Sequence, residues 1–216
     1  MMMNREPVQF ISMAENFKKK KTHQKKKIGN QSRKRDQDED IFATYNINSR
    51  VSREGPENNK RVVCYMTSWA FYRRGDGKFV PEQIDTRLCT HIVYAYGSLS
   101  PDELVAKEFD PWTDITNNLY ERVTSLKDVT VLLGLGGWTD SAGDKYSRLV
   151  SSSAARAKFT EKLVSFLRMH NFRGLHLDWN YPVCWQSNCK KGAASDKANY
   201  AKLIQVNKIK EIYCSN

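Results

Sequence analysis

A chain of 216 residues with a formal charge of +11 and five cysteines has room for one ordinary domain. The charge is uneven, because residues 1–60 carry fourteen Lys or Arg against eight Asp or Glu and so hold more than half of the excess. No apolar run approaches the roughly 20 residues that cross a bilayer, which excludes a spanning helix, and the absence of a Cys-x-x-Cys pair argues against a zinc or thioredoxin-like role.

Residues 1–60 read as a disordered basic leader. Lys18–Lys21, Lys25–Lys27 and Arg33–Arg35 are like-charge blocks, and the acidic stretch Asp36–Asp40 follows them. Such a segment repels itself and buries too little apolar surface to offset chain entropy. It is read as a solvated tail, and the competing reading is an arm for nucleic acid or acidic surfaces. The N-terminus is polar where the apolar core of a signal peptide would stand.

From Arg61 the texture changes. Arg61–Met66, Thr90–Tyr96, Asp128–Leu135 and Leu175–Trp179 are short, β-branched or aromatic, and almost continuously apolar. Strands buried on both faces have this composition. Ile115, Leu119, Val123 and Leu126 recur at helical spacing ahead of the third strand. Phe159, Leu163, Phe166 and Leu167 do so ahead of the fourth, with Ser151–Ser153 available as an N-cap and Asn171 near the C-terminus. Tyr200, Leu203 and Ile204 begin a further helix. Strands alternating with helices predict a parallel α/β sheet. Periodicity alone leaves an open doubly wound sheet and part of a closed barrel equally available.

Three segments carry a resemblance that separates the two. Tyr65-x-Thr67-x-Trp69-Ala70-Phe71-Tyr72-Arg73, Leu135-Gly136-Gly137-Trp138 and Asp178-Trp179-Asn180-Tyr181-Pro182-Val183-Cys184-Trp185 resemble signature segments of the chitinase family, family 18 of the glycoside hydrolases, in its arthropod form. The resemblance implies a (β/α)8 TIM barrel. Residues 61–205 then hold about four βα units, the first half of a fold that usually takes ~250 residues. Residues 206–216 leave the pattern and read as a divergent tail, and the chain reads as a fragment. A half barrel exposes two unpaired strand edges, which is an aggregation liability.

The family pattern Asp-Gly-x-Asp-x-Asp-Trp-Glu-Tyr-Pro falls on Arg173, Gly174, His176, Asp178, Trp179, Asn180, Tyr181 and Pro182. Alternation along a strand puts His176, Asp178 and Asn180 on one face and Leu175, Leu177 and Trp179 on the other. Arg173, in place of the first Asp, shares the second face. The resemblance implies substrate-assisted chemistry, in which the sugar's own acetamido oxygen attacks the anomeric carbon. Asp178 then stands where that acetamido group is oriented. Asn180 stands where a Glu would protonate the leaving oxygen, and a carboxamide is no proton source. General acid catalysis is typically worth 10²–10⁴-fold, so the substitution predicts a domain that has lost hydrolysis.

His176 replaces a further Asp and is placed to donate to Asp178. Tyr65, Trp69, Trp138 and Tyr181 occupy positions where the family lines its cleft with aromatics, and flat rings stack on sugar faces. Gly136 and Gly137 let the backbone come close at the end of the third strand. The implied chemistry takes no cofactor, and one His, one carboxylate and an amide are a poor metal set. The implied partners are chitin or chito-oligosaccharides, together with tandem chitinase domains in a longer chain. Cys64 with Cys89 matches a family disulfide, Cys184 with Cys189 reads as a second, and Cys214 has no evident partner. Disulfides place the domain outside the cell. The resemblance therefore predicts binding without cutting, against the alternatives of an active chitinase and of a leader that binds nucleic acid.

Overall fold

The computed structural model describes residues 9–12 and 61–213, with side chains over 61–206. All of these residues belong to one compact unit. In chain order its strands are β1 (Gln9–Ser12), β2 (Val63–Thr67), β3 (His91–Leu99), β4 (Ala106–Glu108), β5 (Thr130–Gly136) and β6 (Gly174–Asp178). Its helices are α1 (Leu119–Thr124), α2 (Gly137–Asp140), α3 (Lys145–Ser151), α4 (Ser153–Met169) and α5 (Asp196–Tyr213). The sheet runs β1-β6-β5-β3-β2, parallel throughout, with the short β4 paired antiparallel to β3. This is the α/β arrangement of a partial TIM barrel, and all four predicted strands are present with ends shifted by one to three residues.

The strands are apolar because both faces are covered. In β3 every residue from His91 to Leu99 is buried except Tyr96, which is half-buried. The α4 helix lays Phe159, Leu163 and Leu167 against the sheet, all fully buried. Burial of each such side chain contributes about 1.5–3 kcal/mol. Its start is set as the sequence predicts, with the Ser152 hydroxyl accepting from the Ala155 amide at 3.2 Å. Its end is followed by Asn171 at φ 60°, a left-handed position that Asn tolerates. Leu175, Leu177 and Trp179 join this core from β6, on the face the alternation assigns to them.

Two sequence expectations fail. The helix predicted over Ile115–Leu126 is split, because Asn118 adopts a left-handed φ of 56° and separates the wide turn Trp112–Thr116 from α1. Leu119 and Val123 are buried as predicted, while Ile115 is exposed. The leader is not wholly unstructured either. Residues 9–12 form β1, which pairs with β6 over Gln9↔Gly174 to Ser12↔Leu177. One of the two edges expected to stand open is thereby covered, since an unpaired strand accepts a ladder from any extended segment within reach. The basic runs and the remainder of residues 1–60 lie outside the described residues, as does Cys214. The α5 helix continues through Tyr213, well beyond Gln205.

The wide turn is tied to the sheet by a buried carboxylate. Asp114 accepts from the Tyr94 hydroxyl of β3 at 2.5 Å and from the Asp110 amide at 3.0 Å. Burial pushes its pKa up to about 6, and the nearby Asp110 charge adds to the rise against the lowering effect of its hydrogen bonds. A raised carboxyl pKa favours the folded state at low pH, and this contribution is lost as pH climbs through about 6. Between pH 4 and pH 7 the native chain should therefore lose about 2 kcal/mol more stability than an Asp114→Asn variant, read from denaturant midpoints. Parallel pH profiles would contradict the assignment.

Candidate active site

The C-terminal ends of the parallel strands meet around a cavity of about 540 Å³. Ser68 and Trp69 reach it from the turn after β2, Tyr96 from β3 and Phe109 from the segment after β4. Gly136, Gly137, Trp138 and Thr139 line it after β5, and Asp178 and Asn180 after β6. Trp69 and Trp138 are half exposed. Trp69 stacks on Tyr96 with ring centroids 6.3 Å apart and planes 25° apart.

Two glycines make this convergence sterically feasible. Gly136 sits at φ +118°, and a Cβ there would lie 2.4 Å from the Asp178 carbonyl oxygen. Gly137 sits at φ +83°, and a Cβ there would lie 2.8 Å from the Tyr96 ring. The Tyr96 ring arrives by a register shift, since Ala95 pairs with Gly134 and Gly97 with Leu135, leaving Tyr96 as the extra residue of a bulge. Bulges re-aim side chains in this way.

Asn180 is held through its side-chain nitrogen and both of its backbone polar groups. Its amide nitrogen Nδ2 donates to Asp178 Oδ1 at 2.8 Å and to the Asp178 carbonyl at 2.9 Å. Its backbone N–H donates to the buried Ser141 hydroxyl at 2.8 Å, and its carbonyl accepts from the Gln186 amide at 2.7 Å. Tyr96 faces Asp178 across the cavity, and burial, followed by the interaction with that carboxylate, raises the phenol well above its ordinary range. Asp178 is thus held by a neutral donor, and its side chain and that of Asn180 face each other in the cavity wall.

His176 does not do what the sequence predicts. Its Nε2 lies 3.2 Å from the Tyr65 hydroxyl, its Nδ1 has no partner among the described residues, and neither nitrogen bonds Asp178. Burial lowers its pKa, and the Asp178 charge offsets this only in part. It is therefore a neutral imidazole near pH 7, packed edge-on to Tyr65. The reason is that β6 carries it one strand step below Asp178, where Tyr65 of β2 is its hydrogen-bond partner among the described residues. Tyr65 itself lines a neighbouring hollow, and Tyr181 is half exposed outside the cavity wall. Tyr96 and Phe109, which the sequence reading overlooks, are part of that wall. Tyr96 had no signal, since it lies inside β3 and only the bulge turns it to the cavity. Phe109 had none either.

Cys64 is bonded to Cys89 and Cys184 to Cys189. No trio of His, Cys, Asp or Glu side chains converges on a metal position among the described residues, and no helix among them is long and apolar enough to cross a membrane.

Comparison with known proteins follows the same geometry. The model of glycosyl hydrolases family 18 matches residues 61–211. The chain belongs to that family. The match runs past Gln205, where the sequence reading ends it. Probable chitinase 10 of Drosophila melanogaster is 54% identical over 155 residues, covering 72% of this chain and 7% of that protein. The crystal structure of Ostrinia furnacalis Group II chitinase catalytic domain 2 is 52% identical with a TM-score of 0.70, over 72% of this chain and 41% of that one. A mutant of that domain was solved in complex with (NAG)5. Human YKL-39, a pseudo-chitinase with retained chitooligosaccharide binding properties, is 30% identical with a TM-score of 0.55, over 68% of this chain and 37% of that one. The chain spans less than half the length of each of these relatives.

The steric reading of Gly137 is open to test. Gly137→Ala should cost about 1–3 kcal/mol more in urea unfolding than Gly143→Ala, because Gly143 has the similar φ of +78° with nothing within 4 Å of an added Cβ. Equal losses would show that Tyr96 is not packed against this backbone.

Proposed function

We propose that this chain binds chito-oligosaccharides through the cavity between Trp69, Trp138 and Asp178, and does not hydrolyse them. The observation that carries the reading is the contact of Asn180 Nδ2 with Asp178 Oδ1 at 2.8 Å. An amide donor stands where the family resemblance puts a proton-donating Glu, and it is satisfied by the very carboxylate that the resemblance assigns to the acetamido group. A carboxamide has no acidic proton to give, so the leaving oxygen of a glycosidic bond finds no general acid there.

The binding half of the reading is supported by what remains. Trp69 and Trp138 present half-exposed rings to the cavity, and Tyr96 backs Trp69. Aromatic faces of this kind carry the apolar contact with a sugar ring while a few fixed polar groups set its orientation. Asp178 and Tyr96 supply those polar groups. Relatives with similar folds bind such ligands, one as a mutant chitinase catalytic domain with (NAG)5 and one as a pseudo-chitinase. The two disulfides support an oxidising, extracellular setting.

Asn180→Glu is the direct test. A carboxyl group placed against Asp178 would have its pKa raised by the neighbouring charge, as a general acid requires. The variant should cleave a chromogenic chito-oligosaccharide on the order of 10² times faster than the native chain or more. Equal rates in the two chains, with the native one active, would refute the proposal.

A further inference from the structure

A second hollow, of about 530 Å³, lies under the loop that follows the active-site strand and is lined by Gly143, Asp144, Trp185, Gln186, Asn188 and Lys191. It shares no lining residue with the first cavity. The loop that forms it is strained and heavily restrained. Val183, Gln186 and Ser187 all take left-handed φ values of 71°, 46° and 66°, which for a β-branched residue is costly backbone. Gly192 packs so closely on Val183 that a Cβ would lie 1.8 Å from its carbonyl oxygen. The Cys184–Cys189 disulfide closes the loop across Trp185. Strain of this sort persists where surrounding contacts over-determine the chain, and it gathers at ligand sites.

The contact that over-determines this loop is Asp196. It is 1% exposed, and its two carboxylate oxygens accept from Ser147 Oγ at 2.6 Å, the Val183 amide at 3.2 Å and the Trp185 indole Nε1 at 3.0 Å. The Trp185 ring is therefore locked in one orientation, packed against the core and forming a wall of the hollow. Around it stand polar groups of both signs. Gln186 spends its Nε2 on the Trp138 carbonyl, Asn188 its Oδ1 on the Lys190 amide, and Asp144 its Oδ1 on Arg148. Gln186 Oε1, Asn188 Nδ2, Asp144 Oδ2 and Lys191 Nζ have no partner among the described residues. A phosphate would meet Asp144 and a free cation would meet Lys191. A neutral ring with several hydroxyls satisfies both.

We propose that this hollow is a second carbohydrate site, taking one pyranose unit of a chito-oligosaccharide against Trp185. The choice of N-acetylglucosamine as the sugar rests on the proposed function, while the hollow's preference for a neutral pyranose does not. The two sites touch through Gln186, which donates to the Trp138 carbonyl from its side chain and to the Asn180 carbonyl from its backbone.

The test is a titration of the whole 216-residue chain, ¹⁵N-labelled at tryptophan, with chitotriose. The indole N–H resonances are assigned by Trp→Phe substitution, so that Trp138 reports the first cavity and Trp185 the second. Both signals should shift saturably in the native chain. Trp185 should still shift in a Trp138→Ala variant, whose substituted side chain is half exposed. In an Asn188→Ala/Lys191→Ala variant the Trp185 response should weaken about ten-fold or more while the Trp138 response stays. A Trp185 signal that never moves while Trp138 does would overturn the second site and leave the first intact. A Trp185 response that disappears with Trp138→Ala would overturn it as well, by making Trp185 a relay. A shift at Trp185 alone would support the hollow and remove the cavity reading, and silence at both would remove both.

Discussion

Gly136 lies opposite Asp178 in the ladder between β5 and β6, and a side chain there would run into the Asp178 carbonyl. Every group at the site depends on that close approach. It brings the turn carrying Gly137 and Trp138 against the end of β6, and it leaves the bulged Tyr96 room to reach Asp178 and to stack under Trp69. A parallel sheet delivers strand ends to one side, but only a missing Cβ lets two of them come this near. The buried core beneath, from Phe159 and Leu163 to Trp179, keeps that register from slipping, because a one-residue shift would turn Leu175 and Leu177 into the cavity.

Buried carboxylates then position the loops. Asp140 accepts from Ser98, Lys145 and Tyr146 and joins the turn after β5 to the end of β3. Asp114 does the same for the wide turn ahead of α1, and Asp196 for the loop that holds Trp185. Each accepts at least two hydrogen bonds, which is what makes a buried acid tolerable. Asn180 shares in this pattern of polar anchoring. Its side chain is spent on Asp178, and its backbone is spent on Ser141 and Gln186. A group held in this way positions its neighbours.

Much of this was legible before any coordinates. The period-two alternation through Leu175–Asn180 puts Leu175, Leu177 and Trp179 in the core and Asp178 and Asn180 at the cavity, with His176 buried between, and the Ser152 cap and the buried stripe of α4 follow from spacing alone. The break at Asn118 was not legible, because the apolar spacing of Ile115 and Leu119 continues across it and only the backbone reveals the left-handed residue. The partner of His176 was misread because sequence distance favours Asp178, two residues away, whereas Tyr65 comes from a different strand. Tyr96 escaped notice because a bulge, which no pattern announces, turns it toward the site. The strand at Gln9–Ser12 was hidden by the charge of the segment around it.

The central claim is that the cavity retains its ligand and leaves it whole. Calorimetric titration of the native chain with (NAG)5, followed by mass spectrometry of the recovered sugar, tests it most directly. The account predicts saturable heat that is lost when Trp69 and Trp138 are both replaced by Ala, with the pentasaccharide recovered intact. Shorter sugars in the recovered ligand, or no heat from the native chain, would contradict it.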